Sequence, residues 1–357
     1  MHYIQNNTDE NLIFNISLAR MTFLSCKEKN ILSKKLDSSY SLALLSIEEI
    51  FKIIDSPAVP GMQRRAFRGK WNGAENLNAA QRAAFICKKR GYRVLSYEDA
   101  EYPELLRNIA EPPFLLYCHG NVSVLGERSV SVVGTRRISP RGRKSAHDFA
   151  YEACLNGCGV VSGLAYGADG YAHRGAVDAF YEHHSDKELT ALGKTIAVLP
   201  GGIDEIVPQG NKFLAEKILK SGGCIVSEYE PGVPSENWRF VARNRIIAGL
   251  SPAVVVIEAP TGSGALITAD FALESGRDVF FHNAAVSEEA LMISAAVKKN
   301  LDLRFARKEV SKYKIENTVT KYLEAGAAVI ADYADYCRAL AEVPGQRTSP
   351  VLQGELF

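Results

Sequence analysis

The chain has 357 residues and a net charge of +1, with 46% hydrophobic and 23% charged residues. That length implies two or three domains, and the near-neutral balance excludes a generally basic nucleic-acid coat while leaving local patches open. No apolar run reaches the roughly 18 residues of a membrane span, the first residues lack the basic and apolar regions of a signal peptide, and seven cysteines occur without CxxC spacing. A cytoplasmic protein with reduced thiols and no metal site is expected.

Residues 1 to 88 read as a small α-helical module: Leu42, Leu45, Ile47, Ile50 and Ile53 recur at helical steps, and Pro57, Pro60 and Gly61 interrupt them before a polar helix from Asn76 to Arg90. From Gly91 the texture changes. A short strand (Tyr92 to Leu95), a helix (Tyr102 to Ile109), the breaker Glu111-Pro112-Pro113 and a strand (Phe114 to Tyr117) lead into a regular alternation.

Strands are expected at Val130–Val133, Val160–Ser162, Thr195–Leu199, Ile225–Ser227, Val254–Ile257 and Val279–Phe281, with helices at about Arg143–Leu155, Tyr171–Phe180, Lys212–Leu219, Val241–Ala248 and Leu266–Glu274. Asn211 is the expected N-cap of the third helix. These strands are continuous apolar runs, as in a parallel sheet covered on both faces. The expected fold is therefore α/β: a doubly wound, mainly parallel sheet over residues 91–340, preceded by the helical module. A basic insertion falls at about 284–316, where Lys298, Lys299, Arg304, Arg307, Lys308, Lys312 and Lys314 face only Asp302 and Glu309 among the nearby acids. Residues 341–357 read as a flexible tail.

Two glycine turns organise the chain. SVSVVGTRRISPRGRK (129–144) and VVSGLAYGADGYAH (160–173) each run strand, glycine turn, helix start, the layout that aims backbone N–H groups at phosphates. In an open parallel sheet, ligands gather where strands end and helices begin. The first loop offers Gly134, Thr135, Ser139 and Gly142 beside Arg136, Arg137, Arg141, Arg143 and Lys144, five cations without a local acid. EAPTGSGALIT (258–268) offers Ser263 and Thr268 at another helix start, and RFVARNRIIAGL (239–250) gathers Arg239, Arg243 and Arg245. Like charges at a positive helix end need an anion. Either Glu258 and Glu228 pair with Arg243 and Arg245 inside the fold, or a phosphate does.

Catalytic apparatus is not evident. Gly-x-Ser-x-Gly and the Walker GxxxxGK[ST] pattern are absent. Asp169 and His173 read as braces of a helix start, and His183 and His184 as solvated loop residues.

The stretches SVVGTRRISPRG, VVSGLAYGADGYAHRGAV, GKTIAVLPGGIDEIVPQGN, GGCIVSEYEPGVPSENWRFVARNRIIAGLS and VVVIEAPTGSGALITADFALESGRDVFF, in that order, closely resemble the DNA-processing protein A (DprA/Smf) family from about Gly91 to Leu340. The resemblance implies an extended Rossmann-like domain that binds single-stranded DNA, protects incoming strands in natural transformation, forms homodimers and loads the recombinase RecA. It implies no enzyme activity, no catalytic residue and no cofactor. Carried over residue by residue, the strand pocket falls on Gly134, Thr135, Arg136, Ser162, Gly163, Arg243, Asn244 and Arg245, with Lys144, Ser263 and Thr268 on its rim. Tyr166, Trp238 and Phe240 are candidate stacking partners for bases. The first 88 residues then resemble the SAM- or helix-hairpin-helix-like module that precedes this domain.

The chain departs from the family pattern at HNAAVSEE (282–289), where proline-glycine is usual, at Val207, where an aromatic is usual, and after Leu340, where 17 residues are too few for the winged helix of many members. The closing QGELF, with Gln353, Leu356 and Phe357, resembles the peptide that docks into the bacterial sliding clamp. Two rivals are a phosphoribohydrolase-like enzyme, for which Pro200-Gly201-Gly202 lacks the following Gly-Thr, and a mononucleotide sensor using the same pocket.

Overall fold

A computed structural model describes residues 2–54, 71–185 and 191–342, with side chains from residue 9. Five helices lead the described chain: α1 (His2–Ala19), α2 (Cys26–Lys35), α3 (Ser39–Leu44), α4 (Ile47–Ile54) and α5 (Gly73–Arg90). Gly91 ends α5 in the left-handed region, with φ at +66°. The tail residues Gln353, Leu356 and Phe357, and the tail as a whole beyond residue 342, lie outside the described residues.

The remaining elements are β1 (Arg93–Ser96), α6 (Glu104–Arg107), β2 (Leu115–Gly120), β3 (Ser129–Val133), α7 (Pro140–Leu155), β4 (Gly159–Ser162), α8 (Ala168–His183), β5 (Thr195–Val198), α9 (Lys212–Lys220), β6 (Cys224–Ser227), α10 (Asn237–Ala242), α11 (Asn244–Gly249), β7 (Ala253–Val256), α12 (Gly264–Glu274), β8 (Asp278–His282), α13 (Glu288–Ala306), α14 (Lys312–Glu316), α15 (Val319–Glu324), β9 (Ala328–Ile330) and α16 (Tyr333–Ala341). The nine strands form one sheet in the order β1-β2-β6-β5-β4-β3-β7-β8-β9. β1 and β2 join antiparallel; from β6 to β9 all pairs are parallel.

The chain winds outward from β3 through β4 and β5 to β6, then returns to β7 on the other side of β3. The loops after β3 and β7 therefore part at the switch point, where an open sheet leaves a crevice. Period-two alternation feeds both faces: Val130 and Val132 of β3 enter the core under α7, α8 and α16, while Val133 enters the core under α11, α12 and α15. The helical module shares its core with the sheet, packing Ile16, Leu18 and Ile50 with Leu115, Tyr117 and Ile225. An Arg20–Glu230 ion pair fastens the same contact.

Three local expectations are corrected. α7 starts at Pro140, three residues before the expected Arg143, because Ser139 caps it and proline at the first turn loses no hydrogen bond. The helix expected at Val241–Ala248 is two short helices meeting at Arg243. Asn211 precedes α9 but does not cap it; its amide instead donates to the Leu164 and Ala165 carbonyls at 2.8 and 3.2 Å, pinning the second glycine turn.

Candidate nucleic-acid interface

The loops after β3, β4 and β7 interlock at their main chains. Thr135 N–H donates to the Glu258 carbonyl at 2.7 Å, and Ala168 N–H to the Thr135 carbonyl at 3.2 Å. Gly167, at φ +79°, lies so close to this loop that a Cβ would come within 2.7 Å of the Arg136 Cα. Gly134 likewise leaves no room, since its Cβ would meet the Ala168 Cβ at 2.6 Å. The glycines expected from the sequence are thus required by close approach of two turns.

The exposed part of this edge is cationic. Arg136, Arg137, Arg141, Arg143 and Arg174 are exposed, and none pairs with a carboxylate among the described residues. Arg136 lies 4.8 Å from the Phe240 ring centroid, while Arg143 and Arg174 share the Tyr171 ring at 5.8 and 4.9 Å. Arg174 and Tyr171 escaped the sequence reading. Their i, i+3 spacing on a helix start was the available signal. Tyr166 and Trp238 are 53% and 56% exposed, enough for a base to reach either ring. Trp238 Nε1 donates to Glu236, and Arg239 lies 5.0 Å from its ring centroid.

Several expected strand contacts have other tasks. Ser139 N–H and hydroxyl both bond Glu258, at 3.0 and 2.5 Å, and a Cβ at Gly142 would strike the same carboxylate. Glu258, 5% exposed, therefore fills the α7 N-terminus where a phosphate was expected. Ser162 is fully buried and donates to the Val132 carbonyl at 2.6 Å. Thr268 is buried and bonds back to the Gly264 carbonyl, as Ser and Thr do within helices. Lys144 is exposed but held by Asp148. These residues shape the edge; their sequence signal, hydroxyl and glycine at a helix start, is the same for a cap as for an anion site.

The question of Arg243 and Arg245 has two answers. Arg245 pairs with Glu228 at 2.5 Å and donates to the Glu111 carbonyl at 2.9 Å. Arg243 does not meet Glu258. It is 4% exposed and donates to the Gly163 and Val198 carbonyls, beneath the second glycine turn. A Cβ at Gly163 would fall on its guanidinium. Asn244, also buried, holds the Gly264 carbonyl at 3.2 Å.

Under the edge lies a polar cluster. Burial pushes Arg243 down to about 10, with Arg136 acting in the same direction and Asp169 against it. Burial likewise raises the Asp169 carboxyl, against the pull of Arg243 and the N–H groups of Ala165 and Gly163. Both partners are displaced toward neutrality, so desolvation outweighs their mutual attraction. His173 is fully buried, its Nδ1 2.7 Å from the Thr195 hydroxyl, and burial with the charge of Arg243 lowers it to about 3. His282 is lowered to about 4, mainly by burial.

These two histidines set a pH dependence. Below about pH 6.5 the unfolded chain takes a proton at each that the folded chain refuses. Stability present above pH 6.5 is then lost as pH falls toward the folded values. We expect up to about 1.4 kcal/mol lost per pH unit and histidine. Urea midpoints between pH 7 and 5 should show this slope, and His173→Gln should flatten it; a slope unchanged by the substitution would mean that His173 is not its source.

The two acids that follow Pro200-Gly201-Gly202 are hydrogen-bonded to the main chain. Glu205 accepts from Ser235 N–H at 3.1 Å and Asp204 from Gly232 N–H at 2.8 Å, so both acids brace the 228–236 loop. Among the described residues no group of His, Cys, Asp and Glu could hold a metal ion, and no helix is long and apolar enough to cross a membrane.

Residues 93–300 match the model of the family described as DNA recombination-mediator protein A, more than half of the chain. The chain is 36% identical over 194 residues to the DNA processing protein DprA of Bacillus subtilis (strain 168), covering 54% of this chain and 61% of the relative. It spans about half to three-fifths of the length of the curated relatives that it matches. Its fold is similar to that of DNA processing protein A from Streptococcus pneumoniae, with a TM-score of 0.57, 28% identity and coverage of 88% of this chain and 98% of that one. It is also similar to DNA processing protein A from Helicobacter pylori, whose structure was described for its single-stranded DNA binding mode, with a TM-score of 0.51, 25% identity and coverage of 70% and 95%.

Proposed function

The chain belongs to the DNA recombination-mediator protein A family, and we propose that its arginine-bearing sheet edge holds single-stranded DNA without reading its sequence. One observation carries this reading. Five exposed guanidiniums gather on one edge with no carboxylate partner among the described residues, while the carboxylates nearby, Glu258 and Glu228, are committed to the fold. A flexible polyanion supplies the missing charge, and the exposed faces of Tyr166 and Trp238 supply surfaces for bases.

The finer reading is that the protein protects incoming strands in natural transformation and recombination, passes them to RecA and works as a cytoplasmic homodimer without catalysing a reaction. That part rests on family membership rather than on geometry. Contact with a sliding clamp through Gln353, Leu356 and Phe357 rests on the sequence of the tail alone. The deciding experiment is a titration of the full chain against a labelled single-stranded oligonucleotide and against AMP. Tight, salt-sensitive binding of the oligonucleotide with weak AMP binding supports the strand reading. The reverse order of affinities, or release of adenine from AMP, would replace it with the nucleotide-binding or nucleotide-hydrolysing alternative.

A further inference from the structure

The basic insertion forms a long helix, α13, that stands against the loop after β7. Between them lies a groove of ≈ 570 Å³, within the size range of small-ligand sites. Its walls are apolar: Pro260 on the loop, and Ile293, Ala296, Val297 and Leu301 on the helix. Five polar side chains also line it: Thr261, bonded to Ser294, Arg304, paired with Glu309, and Lys314, together with Asn300 and Ser263. Asn300 is exposed, and Ser263, the residue before α12, has a hydroxyl that caps nothing and finds no partner although the atom is buried. A buried hydroxyl without a partner is costly unless something meets it.

The groove continues the cationic edge. β7 lies directly beside β3, so its loop opens about 5 Å along the edge from the arginine loop. Lys314 lines the groove, and the insertion also carries Lys299, Arg307 and Lys308; all four are exposed and without an ion-pair partner among the described residues. Apolar walls inside a cationic rim do not suit a second copy of this chain packed symmetrically, because the same cations would face each other. They suit a flat base attached to phosphates.

We propose that this groove receives one base of the strand bound at the arginine edge, with Asn300 and the Ser263 hydroxyl at the base edge and the insertion cations on the flanking phosphates. The inference rests on the strand reading above. It lengthens the binding track from the switch-point crevice across β7 to α13. The insertion thereby gains a use that its departure from the family pattern left unexplained.

The test measures anisotropy of the full chain with a short thymidine oligonucleotide, one about three times as long, and a long one carrying abasic positions. Val297→Trp fills the groove; Asn300→Ala changes an exposed side chain and leaves the packing of α13 in place. Wild-type protein should prefer the long intact strand to the abasic one by about tenfold, a preference that both variants reduce, most in Val297→Trp. Binding of the short strand should be unchanged. If the wild type binds but neither variant nor abasic positions alter the long-strand affinity, the groove assignment is wrong and the strand reading stands. A change in molecular mass on Val297→Trp, with DNA binding intact, would assign the groove to a second copy instead. Failure of the wild type to bind any oligonucleotide would overturn both.

Discussion

Replacing Arg243 by Met should destabilise the fold by on the order of 3–5 kcal/mol, before any effect on DNA is considered. The side chain is 4% exposed, and its Nη1 donates to two main-chain carbonyls, Gly163 and Val198. Removing it leaves both acceptors short of a donor and leaves the buried Asp169 with only the weaker pull of Arg136 as a compensating charge. Burial already displaces both groups toward neutrality, so the pair adds little net stability, yet breaking it from one side is costly. Asp169→Asn combined with Arg243→Met should therefore recover part of the loss. The measurement is the urea midpoint of the single and double variants. A single variant with wild-type stability and lost DNA binding would show instead that Arg243 swings out to the strand.

The largest effect on binding is expected from the exposed arginines. Arg136→Ala, Arg143→Ala and Arg174→Ala together should weaken single-stranded DNA binding by about 10- to 100-fold near physiological salt, equally for all sequences. Each phosphate contact on a single strand contributes about 0.7 to the logarithmic salt slope, so the triple variant should flatten it by about 2. Stability should change little, because none of the three pairs with a carboxylate among the described residues. Titrations of wild type and variant across a salt series give the result. An unchanged slope would remove these side chains from the strand path. The two experiments separate roles that look alike in sequence: Arg136 and Arg243 both sit at glycine-rich loops, but one faces solvent over Phe240 and the other lies under Gly163.

The alternation of strand and helix was legible in the chain because its signals are local. Valine runs, glycine turns and helix periods mark β3, β4, β5, β6, β7 and β8 within a residue or two of their observed bounds. The switch-point edge followed from that alternation together with the two glycine turns. The resemblance of five ordered motifs added the family. What the chain could not decide was which polar groups the fold would use for itself. Ser139 and Glu258 are 119 residues apart, and Arg243 and Gly163 are 80 apart; those contacts consumed the expected anion site at α7 and one expected cation. The groove beside α13 likewise exists only because a distant loop meets the insertion. Local pattern sets where the chain turns, since backbone preferences act over a few residues. Burial and the partner of each charge are set only when remote segments meet, and that is why the division between strut and binding residue belongs to the tertiary structure.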